Sequence, residues 1–204
     1  MEVLILAADN RITRNEAEVA IEKSKVTIAV VTGHIEGDQV THGGRRLADL
    51  PNVFDDQIAY EKMDKDTVVY QVDSHTAVPE GTSGGLFFGT SYVYPGQVGD
   101  EYFMTKGHYH QRKETAEYYW GITGVGVLLL MDEEGICRAE QVEIGSLHYI
   151  PSNIAHRLIN TGKELLTVGA CWPSDAGHDY KSIEDTGFLA KVVNIDGMPV
   201  IVKR

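Results

Sequence analysis

The sequence predicts an all-β domain, built either as an antiparallel sandwich or as a closed barrel. From Val26 onward the helical spacing of apolar residues largely disappears, and short segments rich in β-branched and aromatic residues replace it. Gly, Pro and Asp separate these segments, as they do in turns between strands. With 204 residues, 43% of them apolar and 24% charged, the chain suits one domain with a sizeable core.

The first 30 residues are predicted to be an extension, and residues 31–204 the main domain. Within the extension, VLILAA (3–8) suits a short buried strand and NEAEVAIEKSK (15–25) suits a short helix. We expect this strand-helix extension to cover a sheet edge or a subunit contact. No internal repeat or low-complexity linker divides the rest of the sequence.

Short segments of strand character follow one another through the main domain. They are TIAVVTG (27–33), TVVYQV (67–72), GLFFGTSYVY (85–94), AEYYWGI (116–122), GVGVLLLMD (124–132), LHYIP (147–151), HRLIN (156–160), ELLTVGACW (164–172) and LAKVVNI (189–195). The single helix predicted in this domain lies around AYEKMDK (59–65).

The charge and the N-terminus restrict the class of protein. A net charge of −12 argues against nucleic acid as a partner, because a polyanion needs a basic face. An anionic small molecule would need a local cluster of donors. Cys137 and Cys171 are too few for a disulfide framework and are read as reduced thiols. MEVLILAADN is acidic where a signal peptide is basic, and its apolar run is too short to span a bilayer. We therefore expect a cytoplasmic protein that does not bind membranes.

Four residues have the spacing and chemistry of a metal site. His108 and His110 stand two positions apart, so on a strand both side chains point to the same face. Glu117 lies on the next predicted strand and His156 on a later one. Three imidazole nitrogens and one carboxylate oxygen are suited to Fe²⁺, Mn²⁺, Ni²⁺ or Zn²⁺. Glu117 has a second possible role, because a carboxylate at the edge of a metal site can also move a proton.

The spacings around these residues resemble the paired motifs of the cupin superfamily, whose fold is a double-stranded β-helix or jelly-roll barrel. The matching positions are Glu117-x6-Gly124, Gly145-x5-Pro151 and His156-x3-Asn160. Tyr102 and Asn153 stand where the superfamily usually has glycine, and the gap from His110 to Glu117 is longer than the common form.

Within the superfamily, the longer gap between His110 and Glu117 resembles that of the cupin-type glucose-6-phosphate isomerases of archaea and some bacteria. The segments that fit this family are GHIEG (33–37), RRLADL (45–50), YVYPGQVGDEYFMTKGH (92–108) and PSDAGHDY (173–180). Together they cover roughly residues 30 to 195. The resemblance implies one divalent metal ion per subunit, with Fe²⁺ expected ahead of Mn²⁺, Ni²⁺ or Zn²⁺, and a homodimer.

The same resemblance implies roles for residues around the metal. Glu117 and His178 would be catalytic, and the substrate phosphate would be held by Ser91, Thr105, Gly107 and Tyr119. Lys106, Arg45 and Arg46 lie in matching segments, but their simpler interpretation is charged surface. Trp172 departs from the family, which carries tyrosine there. An indole cannot exchange a proton as a phenol can, so that position is given no catalytic role.

The resemblance implies an aldose-ketose isomerase that interconverts D-glucose 6-phosphate and D-fructose 6-phosphate. Hydrogen would move between C1 and C2 of the open-chain sugar, either as a proton through an enediol or as a hydride. Two alternatives remain open at this stage: a cupin dioxygenase with similar ligands, and a non-catalytic sugar-binding cupin.

Overall fold

The structure, a computed structural model, describes residues 11–14 and 17–204. Its strands in chain order are β1 (Arg11–Arg14), β2 (Ala17–Ala20), β3 (Val26–Ile28), β4 (Ile35–Gly37), β5 (Val40–Arg46), β6 (Val68–His75), β7 (Leu86–Val93), β8 (Gln97–Val98), β9 (Glu101–Tyr102), β10 (Glu117–Thr123), β11 (Gly126–Met131), β12 (Cys137–Val142), β13 (Leu147–Ile150), β14 (Ala155–Asn160), β15 (Leu166–Pro173), β16 (Ala190–Ile195) and β17 (Met198–Lys203). Two short helices, α1 (Gln57–Lys62) and α2 (Lys181–Thr186), and a 3-10 turn at Leu47–Asp49 join them. The all-β class is confirmed.

Two antiparallel sheets carry the architecture. The larger has the strand order β13-β10-β15-β7-β6-β5, and the smaller has the order β12-β11-β14. One hydrophobic core takes buried side chains from both, including Val69, Val93 and Val168 of the larger sheet and Leu128 and Leu158 of the smaller. The cupin-type arrangement of two facing sheets is confirmed. A third antiparallel sheet has the order β17-β16-β9-β8.

The main-domain predictions are confirmed for most strands and for the helix near residue 60. Sequence reasoning missed the longer strands β5, β12 and β17, the short strands β4, β8 and β9, and the helix α2. β5 contains Gly43 and Gly44, and β12 is largely polar. Neither has the apolar, β-branched pattern from which strands were predicted, so their conformation depends on pairing with β6 and β11.

The helix predicted within residues 15–25 is wrong. Ala17–Ala20 forms β2, which pairs antiparallel with β1 in a register that joins Ile12 to Val19. Isolated helices this short are marginal, whereas strand pairing satisfies the backbone of both segments and suits β-branched residues. The strand predicted at residues 3–8 lies outside the described residues. The domain boundary at residue 30 stays a prediction.

Small side chains on the inward face of the larger sheet leave room for a cavity. The register places Ala170 of β15 opposite Gly89 of β7, and Gly89 opposite Ser74 of β6. In the neighbouring row, Ser91 lies opposite Val72. Large residues in these rows would fill the barrel, so their small size determines where a ligand can enter. None of the helices among the described residues is long and apolar enough to cross a membrane.

Asn160 fastens the turn between β14 and β15 to the larger sheet. Its side chain is fully buried, and its amide donates hydrogen bonds to the carbonyl oxygens of Val93 at 2.7 Å and Glu164 at 2.8 Å. Its carbonyl oxygen accepts from the Gly162 backbone N–H at 2.9 Å. The motif position therefore has a structural function.

We predict that Asn160→Ala lowers the free energy of unfolding by about 2–4 kcal/mol, because buried backbone groups lose their partners. Chemical denaturation would measure the change, with Asn52→Ala at an exposed position as the matched control. Equal stability of the two variants would contradict the assignment.

Candidate metal centre

Four predicted ligands meet at one point inside the barrel. One donor atom from each of His108, His110, Glu117 and His156 lies within 4.8 Å of the other three. Glu117 is the first residue of β10, and His156 belongs to β14. Residues far apart along the chain are thus brought together by the packing of the two sheets.

The segment before β10 holds the two histidines of the His-x-His pair against β14. Isolated bridges join Met104 to Ile159 and His108 to His156. The Thr105 backbone N–H donates to the Leu158 carbonyl oxygen at 2.9 Å. The segment is extended but is not the regular strand that was predicted, because Gly107 has a φ of +75° and interrupts the ladder.

The hydrogen bonds around the cluster fix the imidazole tautomers. Nδ1 of His110 lies 3.2 Å from the Thr115 carbonyl oxygen, and Nδ1 of His156 lies 3.3 Å from the Ile154 carbonyl oxygen. A carbonyl only accepts, so in the neutral ring Nδ1 carries the proton and Nε2 presents its lone pair. Both Nε2 atoms lie 3.2 Å from Glu117 Oε2, which also carries lone pairs.

In these tautomers the Nε2 atoms of His110 and His156 cannot donate hydrogen bonds to the other donor atoms of the cluster. Nε2 of His108 and Nε2 of His156 are buried without a hydrogen-bond partner. Burial, together with the neighbouring imidazoles, holds the pKa of His108 well below its usual value, so this ring is neutral. Glu117 adds a carboxyl oxygen at the same point, and a nearby cation favours its charged form. Converging lone pairs and one negative charge fit a divalent cation.

A cavity of about 250 Å³ opens beside the cluster. It is lined by most of the residues predicted to bind substrate or ligate metal: Ser91, Thr105, Gly107, His108, Glu117, Tyr119, His156 and His178. His110 does not line the cavity. The structure therefore brings the predicted site residues to one place, with His110 behind the others.

His178 reaches the cavity from the strap formed by residues 174–180, which follows β15. The strap is held by a two-way backbone bridge, in which the Asp179 N–H donates to the Tyr109 carbonyl at 2.8 Å and the Tyr109 N–H donates to Asp179. The centroid of the His178 ring lies 4.5 Å from that of His108. Burial lowers the pKa of His178, so its imidazole is neutral and able to accept a proton.

Sequence reasoning missed two tyrosines that line the cavity. Tyr180 stacks on His178 with an angle of 5° between the ring planes, and Tyr70 projects from β6. Burial raises the pKa of Tyr70 to about 12, so its hydroxyl stays protonated. Strand alternation from Val72 could have placed Tyr70 on the inward face, and the position of Tyr180 two residues after His178 could have drawn attention to it.

The charged residues near the cavity separate into two groups. Arg45 lines the cavity, whereas Arg46 pairs with Asp66 at the surface. Lys106 lines the cavity but forms an ion pair with Glu184, and its Nζ lies 5.1 Å from the centre of the Tyr180 ring. Arg45 therefore remains available to an anionic ligand.

Trp172 shapes the wall of the cavity. Its indole lies over Gly89, where an added Cβ atom would come within 2.8 Å of the ring, and it packs edge-on against Phe87. The absence of a side chain at Gly89 thus accommodates the larger indole.

The sequence comparisons with known proteins point to one family. The profile described as Glucose-6-phosphate isomerase (GPI) matches residues 44–204. A glucose-6-phosphate isomerase from Thermococcus litoralis is 43% identical over 159 residues, covering 77% of this chain and 83% of the relative. One from Thermococcus onnurineus (strain NA1) is 42% identical over 178 residues, covering 87% and 92%. Among solved structures, an oxalate decarboxylase from Bacillus subtilis aligns with a TM-score of 0.41 and 19% identity, over 53% of this chain and 26% of that chain.

We predict that His156→Ala lowers the bound metal content at least about tenfold, because one of four donors is lost and buried lone pairs no longer share a cation. Elemental analysis after dialysis would measure this. His148→Ala is the matched control, since His148 is buried in the same motif but contacts Glu140 and Ser146. Equal metal content in both variants would contradict the ligand assignment.

Proposed function

This chain belongs to the glucose-6-phosphate isomerase family and is an isomerase with a cupin fold, and we propose that it uses one bound divalent metal ion to interconvert D-glucose 6-phosphate and D-fructose 6-phosphate. The observation that carries the metal dependence is the buried convergence of four lone-pair donors at the cavity. Family membership disfavours the dioxygenase and the non-catalytic sugar-binding cupin.

The metal would be held by His108, His110, Glu117 and His156. Fe²⁺ is the ion we propose, and Mn²⁺, Ni²⁺ and Zn²⁺ suit the same donors. When bound, the ion supplies Lewis-acid stabilisation of the charge that develops on the sugar oxygens.

The proton that moves between C1 and C2 needs a group that accepts and returns it. Glu117 is our candidate, since its carboxyl group is buried and lines the cavity. It would take the proton from C2 of the open-chain aldose and return it at C1 to give the ketose. His178 lies at the same cavity in its neutral form, where it would assist ring opening or orient a hydroxyl group.

The substrate phosphate would bind beside the segment that precedes the metal ligands. Gly107 permits close approach of the backbone, and Ser91 and Thr105 offer hydroxyl groups to the cavity. Burial, followed by the nearby Glu117 charge, raises the pKa of Tyr119 well above its ordinary value. Its phenol therefore keeps its proton and donates a hydrogen bond to the phosphate.

We also propose a cytoplasmic homodimer acting in glycolysis and gluconeogenesis. Support for the dimer comes from the outer face of the larger sheet, where Tyr118 and Tyr149 are about half exposed and their tilted rings pack with centroids 5.2 Å apart. Leu147 on the edge strand β13 extends this apolar surface.

A coupled assay of D-fructose 6-phosphate conversion tests the proposal directly. Chelation should abolish turnover, and adding back Fe²⁺, Mn²⁺, Ni²⁺ or Zn²⁺ singly should restore it to differing extents. Full activity after complete metal removal would contradict metal dependence, and no activity with any of the four ions would contradict the proposed function.

We predict that Glu117→Gln lowers kcat by about 10²–10⁴-fold, because the amide cannot accept the proton. Glu143→Gln at an exposed position is the matched control. Substrate exchange in deuterated water distinguishes the two mechanisms: proton transfer brings solvent deuterium into the product, whereas a hydride shift does not. Near-normal turnover of Glu117→Gln would remove the base assignment.

A further inference from the structure

Arg157 is a buried cation that the proposed reaction does not use. Its side chain is 5% exposed, and Nε has no hydrogen-bond partner. Among the residues that the structure describes, no carboxylate lies within 4.0 Å of its guanidinium, whereas Lys106 at the same cavity is paired with Glu184. Buried charges without a counter-charge are rare, which suggests that this one is complementary to a charge that arrives with a ligand.

The guanidinium contacts the segment that carries the proposed phosphate site. Strand alternation places the side chains of His156 and Arg157 on opposite faces of β14. Nη2 of Arg157 donates a hydrogen bond to the Lys106 carbonyl oxygen, and the guanidinium carbon lies 4.5 Å from the centre of the Phe188 ring. A Cβ atom at Gly107 would come within 3.0 Å of Arg157 Nε and within 2.7 Å of Phe188. The plane of the guanidinium is thus held between the aromatic ring and the backbone at Gly107.

The segment 105–107 is a thin wall between two cavities. Thr105, Lys106 and Gly107 line the cavity beside the metal ligands. Lys106 also lines a second cavity of about 430 Å³, which includes Arg157 and lies on the other side. Without the Arg157 guanidinium, the peptide between Lys106 and Gly107 would have open space behind it and no side-chain donor to hold its carbonyl. Because the Lys106 carbonyl and the Gly107 N–H belong to the same peptide, Arg157 determines where the Gly107 N–H points.

Lys106 supplies little net positive charge to the 105–107 segment. Its ammonium group is paired with Glu184, so the two charges largely cancel. The Arg157 charge is not cancelled in this way, and burial strengthens its field at short range because the interior screens charge less than water does.

We infer that Arg157 is a positioning residue for the substrate phosphate: it holds the 105–107 segment in its binding conformation and supplies the positive charge behind it. This inference rests on the proposed function, because it assumes that the anion bound at segment 105–107 is the phosphate of the sugar. Arg157 touches neither the reacting carbons nor the proposed metal ligands' donor atoms, so its effect falls on binding and not on the chemical step.

The test uses Arg157→Met and Arg157→Lys in the metal-loaded full-length protein. Arg138→Met is the matched control, because Arg138 is half exposed on β12 and pairs with Glu140 at the surface. The measurements are KM and kcat for D-fructose 6-phosphate, the inhibition constant of inorganic phosphate, and the metal content. If the wild-type protein shows no isomerase activity, the proposed function is wrong, and this outcome is established before the variants are compared.

For Arg157→Met we expect KM and the phosphate inhibition constant to rise together by about 10- to 100-fold, as for loss of a charged interaction, with kcat within about threefold and metal content unchanged. Arg157→Lys keeps the charge but loses the planar donor fork, so a smaller rise of about threefold to tenfold is expected. If Arg157→Met fails to fold, KM and the phosphate inhibition constant of Arg157→Lys test the inference instead. Unchanged KM and inhibition constant, or a fall in kcat alone, would overturn the inference.

Discussion

The arrangement of lone pairs at the centre of the barrel is the constraint on which the rest of the structure depends. Three imidazole nitrogens and a carboxylate oxygen face one another, and backbone carbonyls accept the Nδ1 protons of His110 and His156, so that the Nε2 atoms of these two rings present lone pairs. Such donors repel one another in a buried place unless a cation lies among them. The fold must therefore hold them together against that repulsion: backbone pairing fixes His108, Glu117 and His156, and the Thr115 carbonyl holds the His110 ring.

The same backbone pairing connects metal, substrate cavity and phosphate segment. β14 carries His156 on one face and Arg157 on the other, and its backbone pairs with the segment of residues 104–108. A shift of one residue in this register would exchange the two faces and move both the proposed metal ligand and the support behind Gly107. The metal centre and the proposed phosphate site are thus parts of one rigid unit, whereas His178 reaches the cavity on a separate strap.

The sequence was sufficient for the fold class and for the convergence of the four proposed ligands, since alternating strands, His-x-His and the spaced Glu117 and His156 have direct geometric meaning. It was insufficient where conformation depends on pairing partners, as in β2 and β5, and where a role depends on the space behind a side chain. Tyr70 is a case of the second kind. The sequence around it does not show that Gly89 and Ala170, on two other strands, leave a cavity in front of its side chain. Arg157 is another, since on sequence alone it is one more charged residue in a strand.

Anomalous diffraction from crystals of the metal-loaded protein, collected at the absorption edge of the bound ion, tests the central claim most directly. We predict one strong peak per chain, at bonding distances of about 2.0–2.2 Å from one nitrogen each of His108, His110 and His156 and from a Glu117 oxygen. A peak elsewhere in the molecule, or these four side chains turned away from a common point, would contradict it.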